Sequence, residues 1–256
     1  MRAFYPAVRE PSRAPVESPL LMKPIAPMRV LAIDCSTEWL VVAAGDANGC
    51  VERREHAGQT HSQRALPRID AVLAECGWRV ADLDGIAFGA GPGSFTGVRI
   101  ACGVAQGLAL GASRPLVPIA TLEVLAQQAF RAHGATRVYA CLDARMREVY
   151  VAGYQREGKG WREAQLPAVL KPDDVILPDG EWFGAGEGFL AYPELAKRLA
   201  LRTVDATIVP SGRAMVDLAA PRLAAGQGVD AAHALPLYVR HRVALTSAER
   251  AAGVRL

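Results

Sequence analysis

This sequence has no pair of histidines at helical spacing, no Ser/His/Asp or Cys/His arrangement, and no Asp/Glu dyad in a convincing cleft setting. For 256 residues that poverty of catalytic signals is informative. No apolar stretch approaches the roughly 20 residues of a membrane span, and a net charge of +3 is too small to announce nucleic acid. The five cysteines, Cys35, Cys50, Cys76, Cys102 and Cys141, are odd in number, widely spaced and mostly in apolar settings. They read as reduced core residues of a cytosolic protein, not as a disulfide framework or zinc site. Residues 1–27 are proline-rich and show neither helical nor strand period. They lack the apolar core of a signal peptide, and their glutamates argue against an organelle-targeting peptide. The expectation is a disordered extension, or an upstream start with Met28 as the working one.

What is present is an ordinary globular composition, 51% hydrophobic and 21% charged, enough for one large or two modest domains. The chain is organised around residues 84–110, where a short apolar run ends in Gly89-Ala90-Gly91-Pro92-Gly93 and Ser94 opens a nearly uninterrupted apolar helix. Bare backbone N–H groups at such a turn can wrap a phosphate. The lysine of a phosphate-binding loop is absent, however, and the glycine spacing of a dinucleotide fold is unmet. A tight turn packed on its sheet is the preferred reading.

At 100° per residue, Phe95, Val98, Ala101, Cys102, Ala105 and Ala109 share one side of that helix, and Gly97, Ile100, Gly103, Val104 and Leu108 lie across the axis. A helix resting on a sheet needs one apolar face, so the second must be covered by another helix, from this chain or from a partner. Burying Ile100, Val104 and Leu108 is worth about 1.5–3 kcal/mol each, comparable in sum with the stability of a domain.

Around this block the order is regular. Val30–Asp34 and Trp39–Ala44 predict a hairpin whose turn carries Asp34, Ser36 and Thr37, placed either to face a phosphate or metal-bound water or to cap the turn locally. Val51–Glu55 predicts an edge strand, and Leu66, Ile69, Val72, Leu73 and Cys76 a helix that Gly77 stops, with Pro67 in its first turn or at a kink. His61 reads as a helix-start residue, not a ligand. Leu116–Ile119 and a capped amphipathic helix from Thr121 follow. Arg137–Ala152 then echoes the opening: an apolar strand, an aspartate, a polar turn, a second apolar strand. That echo fits a duplicated βββαβα unit, an α/β fold of two sheet domains with a cleft between them. Beyond it, prolines punctuate short strands and loops, Leu235–Arg240 reads as a closing strand, and the tail arginines Arg240, Arg242, Arg250 and Arg255 are the only feature suited to RNA backbone.

Asp34-Cys35-Ser36-Thr37, the run Gly91-Pro92-Gly93-Ser94-Phe95-Thr96-Gly97-Val98-Arg99, and Asp143-Ala144-Arg145 with Glu148-Val149-Tyr150 closely resemble the TsaB (YeaZ) family. The likeness runs from about Met28 to Tyr238 and includes Thr60-His61-Ser62 and Leu66-Pro67. It implies the duplicated actin-like, sugar-kinase-like and Hsp70-like fold, with an N-terminal domain at 28–131 and a smaller second domain at 132–256. It also implies a cytoplasmic, non-catalytic subunit that pairs with the related catalytic subunit TsaD and the ATPase TsaE to place a threonylcarbamoyl group on tRNA. Self-association when alone, tRNA contact only through the complex, and no membrane belong to the same expectation. The residues carried over are Leu66, Ile69, Leu73, Gly97, Ile100, Val104 and Leu108 for the interface, and Asp34, Ser36, Thr37, Gly91, Gly93 and Ser94 for nucleotide. No cofactor of its own is implied, and ATP or ADP would sit at the subunit junction. TsaD's metal-binding histidines fall on Thr121 and Leu125, neither of which replaces imidazole. The competing reading is an independent ATP-dependent or peptidase-like enzyme of the same superfamily.

Overall fold

A computed structural model describes residues 27–240 of the chain. The segment expected to be disordered, up to residue 26, and the arginines at 242, 250 and 255 lie outside the described residues.

Two five-stranded sheets repeat one topology. In the first, β1 (Val30–Asp34) lies between antiparallel β2 (Trp39–Gly45) and parallel β4 (Gly85–Gly91), with β3 (Cys50–His56) and β5 (Leu116–Ala120) at the edges. In the second, β6 (Arg137–Arg145) takes the place of β1, flanked by β7 (Glu148–Glu157) and β9 (Phe183–Ala185), with β8 (Gly160–Leu170) and β10 (Thr203–Asp205) outermost. Both orders and all strand directions correspond, so the echo between residues 30–44 and 137–152 is a structural duplication. The apolar runs of β1 (up to Asp34), β2 and β4 follow from burial on both faces, whereas β3 at the edge carries Glu52, Arg53, Arg54 and Glu55.

The helices differ between the halves. In the first, α1 (His61–Cys76) and α2 (Phe95–Ala112) pack on one face of the sheet, and α3 (Thr121–His133) follows β5. In the second, no α-helix separates β8 from β9; α4 (Gly188–Ala191) and α5 (Pro193–Arg198) precede β10, and α6 (Gly212–Ala224) comes last. Each closing helix crosses to the other sheet. Leu122, Leu125, Ala126 and Ala129 of α3 join the core of the second sheet, and Met215, Leu218, Ala219 and Leu223 of α6 cover the first. A boundary at residue 131 therefore divides the sequence but not the packing. Burying the larger of these side chains is worth about 1.5–3 kcal/mol each, so each half depends on the other's last helix.

Several local expectations are corrected. The helix from Thr121 has no side-chain cap, since Ala120 stands at its N-cap, and lying between the sheets it buries Glu123 and Gln127 along with Leu122, Val124 and Leu125. Pro67 is in the interior of α1, beyond its first turn. Pro167 lies inside β8, an eleven-residue strand that tolerates proline because it is at the sheet edge. Leu235–Arg240 is not a strand; it is fastened to β4 through the Leu237 N–H on the Ala90 carbonyl at 2.7 Å. Finally, α2 is long and apolar enough to cross a membrane by length and composition alone. Arg99 and Gln106 hide this in the sequence, and Val98, Ala101, Cys102, Ala105 and Ala109 bury one face of it in the sheet's core.

Candidate functional site: an interdomain cleft and an open helix face

The turns at the carboxyl ends of β1, β4, β6 and β9 surround a cleft of about 510 Å³, the place where open α/β sheets bind ligands. The first half contributes Ser36, Thr37, Glu38, Pro92, Gly93 and Ser94; the second contributes Asp143, Arg145, Met146 and Glu187; residues 237–240 form part of the wall. Of the residues expected to contact nucleotide, Ser36, Thr37, Gly93 and Ser94 line this cleft, and Asp34 and Gly91 do not.

Asp34 is fully buried at the end of β1, where its Oδ1 accepts hydrogen bonds from the Ser36 N–H at 2.8 Å and the Ser36 hydroxyl at 2.7 Å. The local cap is thus the geometry the turn adopts. Its Oδ2 has no partner among the described residues, and a side chain at Gly89 would occupy the same space. Burial raises the Asp34 pKa above the ordinary carboxylate value, against the Ser36 hydrogen bonds and the charge of His61, which lower it. An acid whose folded pKa is raised is most favourable when protonated, so its contribution to stability falls as pH rises from the unfolded value through the folded one. Asp34→Asn should therefore flatten urea-unfolding stability between pH 4 and pH 8 relative to the parent; a parallel profile for the two proteins refutes this.

The glycine turn is packed tightly enough to explain its composition. A Cβ on Gly93 would lie 2.1 Å from the Ser36 carbonyl oxygen, and one on Gly97 would lie 1.8 Å from that of Cys35. The Ser94 N–H donates to the Ser36 carbonyl at 2.7 Å, and the Ser94 hydroxyl caps α2 by accepting from the Gly97 N–H. The loop is spent on closing against β1.

Charge in the cleft is mainly negative. Arg145 spans the two halves, with one nitrogen 3.1 Å from Glu38 Oε1 and another 3.3 Å from Asp143 Oδ2. Burial, and then the nearby Glu38 and Asp143 carboxylates, push the Glu187 carboxyl above its ordinary pKa. Arg240, on the same wall, is already engaged by Glu148 and the Ala144 carbonyl. Both lining arginines are thus already paired, so among the described residues the cleft offers an entering phosphate no free cation.

A second site lies on α2. A Cβ added at Gly103, Gly107 or Gly111 meets nothing within 4 Å, and Leu110 beside them is 76% exposed. Ile100, Val104 and Leu108 are half-buried against the first core. The expected interface set therefore divides. Leu66 is 51% exposed, but Ile69 and Leu73 are buried because α1 rests them on the sheet, and Gly97 is buried against the Cys35 carbonyl. Those three are corrected to core positions. Gly107, Leu110 and Gly111 were missed, although the four-residue spacing of the glycines signals a surface open to close approach.

Thr121 and Leu125, where the resemblance sets TsaD's metal histidines, are buried in α3, and the intervening Glu123 is paired with Arg222. Among the described residues no three His, Cys, Asp or Glu side chains are grouped to hold a metal.

Comparison with known proteins gives this arrangement its family. The tRNA threonylcarbamoyladenosine biosynthesis protein TsaB of Escherichia coli is 43% identical over 223 residues, covering 85% of this chain and 96% of that protein. The chain belongs to the TsaB family. The TsaB protein of Haemophilus influenzae is 37% identical, covering 84% of this chain and 95% of its own. Residues 53–241 also match a family model described as TsaD, tRNA N6-adenosine threonylcarbamoyltransferase. Among solved structures, YeaZ from Pseudomonas aeruginosa superposes with a TM-score of 0.77 at 42% identity, covering 82% of this chain and 99% of that one. A similar match is described as an uncharacterized protein resembling the peptidase YEAZ. The match to the TsaD description agrees with the duplicated fold.

Proposed function

We propose that the chain is a scaffold and activating subunit, without catalytic chemistry of its own, of an assembly that makes threonylcarbamoyladenosine in tRNA. In this reading it binds a TsaD-type catalytic subunit through α1 and α2, with a TsaE-type ATPase completing the assembly, and pairs with a second copy of itself when alone. One observation carries it: the glycine-lined, apolar outer face of α2, which the chain's own fold leaves uncovered on a protein whose relatives are named for this pathway. The composition of the α3 positions supports the same reading, because Thr121 and Leu125 supply no metal ligand of imidazole type. In the same reading any ATP or ADP binds at the subunit junction, which the absence of a free cation among the described residues of the interdomain cleft supports. The assembly works in the cytoplasm, where the five free cysteines stay reduced.

Reconstitution tests the proposal. TsaD and TsaE proteins supplied with tRNA, ATP and a preformed activated threonylcarbamoyl donor should modify adenosine at background level without this chain and robustly with it. Equal modification in its absence refutes the reading. A peptidase reading is tested by the same preparation, which should leave unfolded peptide substrates intact.

A further inference from the structure

A second groove, of about 1320 Å³, lies on the far side of the β6–β7 hairpin from the acidic cleft. Its walls are the tip of that hairpin, the end of β8 with the turn after it, and α5. Its charge is opposite to that of the cleft. Arg147, Lys171 and Arg198 line it without a carboxylate in ion-pair distance among the described residues, and the Arg198 guanidinium is held in place by the Pro172 and Val175 carbonyls. Lys197 and Arg240 add positive charge already paired with Glu194 and Glu148, so Asp173 is the lining carboxylate left without a cationic partner. Tyr192 stands half-buried in the wall beside Arg147.

The hairpin that separates cleft from groove is built at some conformational cost. Arg145, Met146 and Arg147 are three successive non-glycine residues with φ of 60°, 53° and 62°, where a two-residue hairpin turn ordinarily takes Asn and Gly. Strain of this kind persists where the surrounding structure imposes it, characteristically at binding sites. Here it points Arg145 to the acidic cleft and sets Arg147 on the basic groove.

We infer that this groove binds the phosphodiester backbone of the tRNA directly, through Arg147, Lys171 and Arg198, with Tyr192 as an apolar platform. The inference rests on the function proposed above, which makes tRNA the polyanion that the assembly must hold. It differs in placing a direct RNA contact on this subunit's second half, away from both α2 and the tail arginines. Guanidinium and ammonium groups without carboxylate partners are the chemistry that neutralises backbone phosphates, and each such contact makes affinity salt-dependent. The modest excess of charge suits an auxiliary contact that orients RNA while another subunit reads the target base.

The test measures binding of unmodified tRNA to the full chain by fluorescence anisotropy from 50 to 200 mM salt, for the parent and for Arg147→Gln/Lys171→Gln. Both residues are exposed, and an unchanged melting temperature confirms the fold. Loss of two phosphate contacts should weaken binding at 50 mM salt and reduce the slope of log K against log salt by about 2, while Lys171→Arg alone leaves both unchanged. Parental affinity and slope in the double variant overturn the inference. So does binding of poly-glutamate, but not tRNA, at the same residues, which would mark an acidic protein partner. Reconstitution separates the two proposals: a chain dispensable for modification that still binds tRNA through the groove refutes the scaffold reading alone, and an essential chain with an inert groove refutes this one alone.

Discussion

Gly107→Glu should leave the chain folded and abolish its assembly with a TsaD subunit, taking tRNA modification to background. The position discriminates because a side chain there meets nothing within 4 Å of its Cβ in the isolated fold. In the helix interior glutamate has a better intrinsic propensity than glycine by about 0.5 kcal/mol, so the melting temperature should hold or rise slightly. In a close helix–helix contact the same side chain would bury an unpaired charge, at a cost of several kcal/mol. Substitutions at Ile100 or Val104 are poorer probes, since both side chains already pack on the chain's own core and their loss would mix unfolding with dissociation. Co-elution of Gly107→Glu with the partner in size-exclusion chromatography, together with normal modification, would remove α2 from the interface.

Two substitutions of identical chemistry, ten ångströms or so apart along one helix, should have opposite signs. Gly97→Ala drives a methyl group to 1.8 Å from the Cys35 carbonyl oxygen, and β1 cannot retreat without disturbing its pairing with both β2 and β4. A cost of about 3 kcal/mol or more is expected, which lowers the melting temperature by roughly 6–12 °C for a chain of this size. Gly103→Ala, in open space, removes only the entropic penalty of glycine in a helix and should gain about 0.5–1 kcal/mol. Thermal unfolding of the two variants side by side decides the matter. Equal effects would mean that the glycine turn is free to move away from β1, and that its composition serves something other than packing.

The difference between these glycines could not be read from the chain. In the sequence Gly97 and Gly103 are both grouped with the outward face, although at 100° per residue they lie about 120° apart on a helical wheel. The approach of Cys35 after β1 decides that Gly97 is packed and Gly103 open, because a wheel records direction around an axis and not what stands at each height along it. The same limit explains Ile69 and Leu73, which share an apolar stripe with Leu66 but rest on the sheet while Leu66 faces out.

The sequence alone determined the elements that depend on near neighbours: the strands by their apolar runs, α1 by its stop at Gly77, α2 by its Ser94 cap, and the repeat by the echo of residues 30–44 in 137–152. Its motifs were specific enough to mark the family. Tertiary structure decided everything that depends on contacts remote in sequence. It exchanged α3 and α6 between the two sheets, buried Asp34 outside the cleft, gathered Glu38, Asp143 and Glu187 into one negative field, and set Arg147 beside Lys171 and Arg198. Hydrophobic periodicity reports that a face is covered, but burial energy is indifferent to which element covers it, and electrostatic fields sum over charges from turns that the chain order keeps far apart.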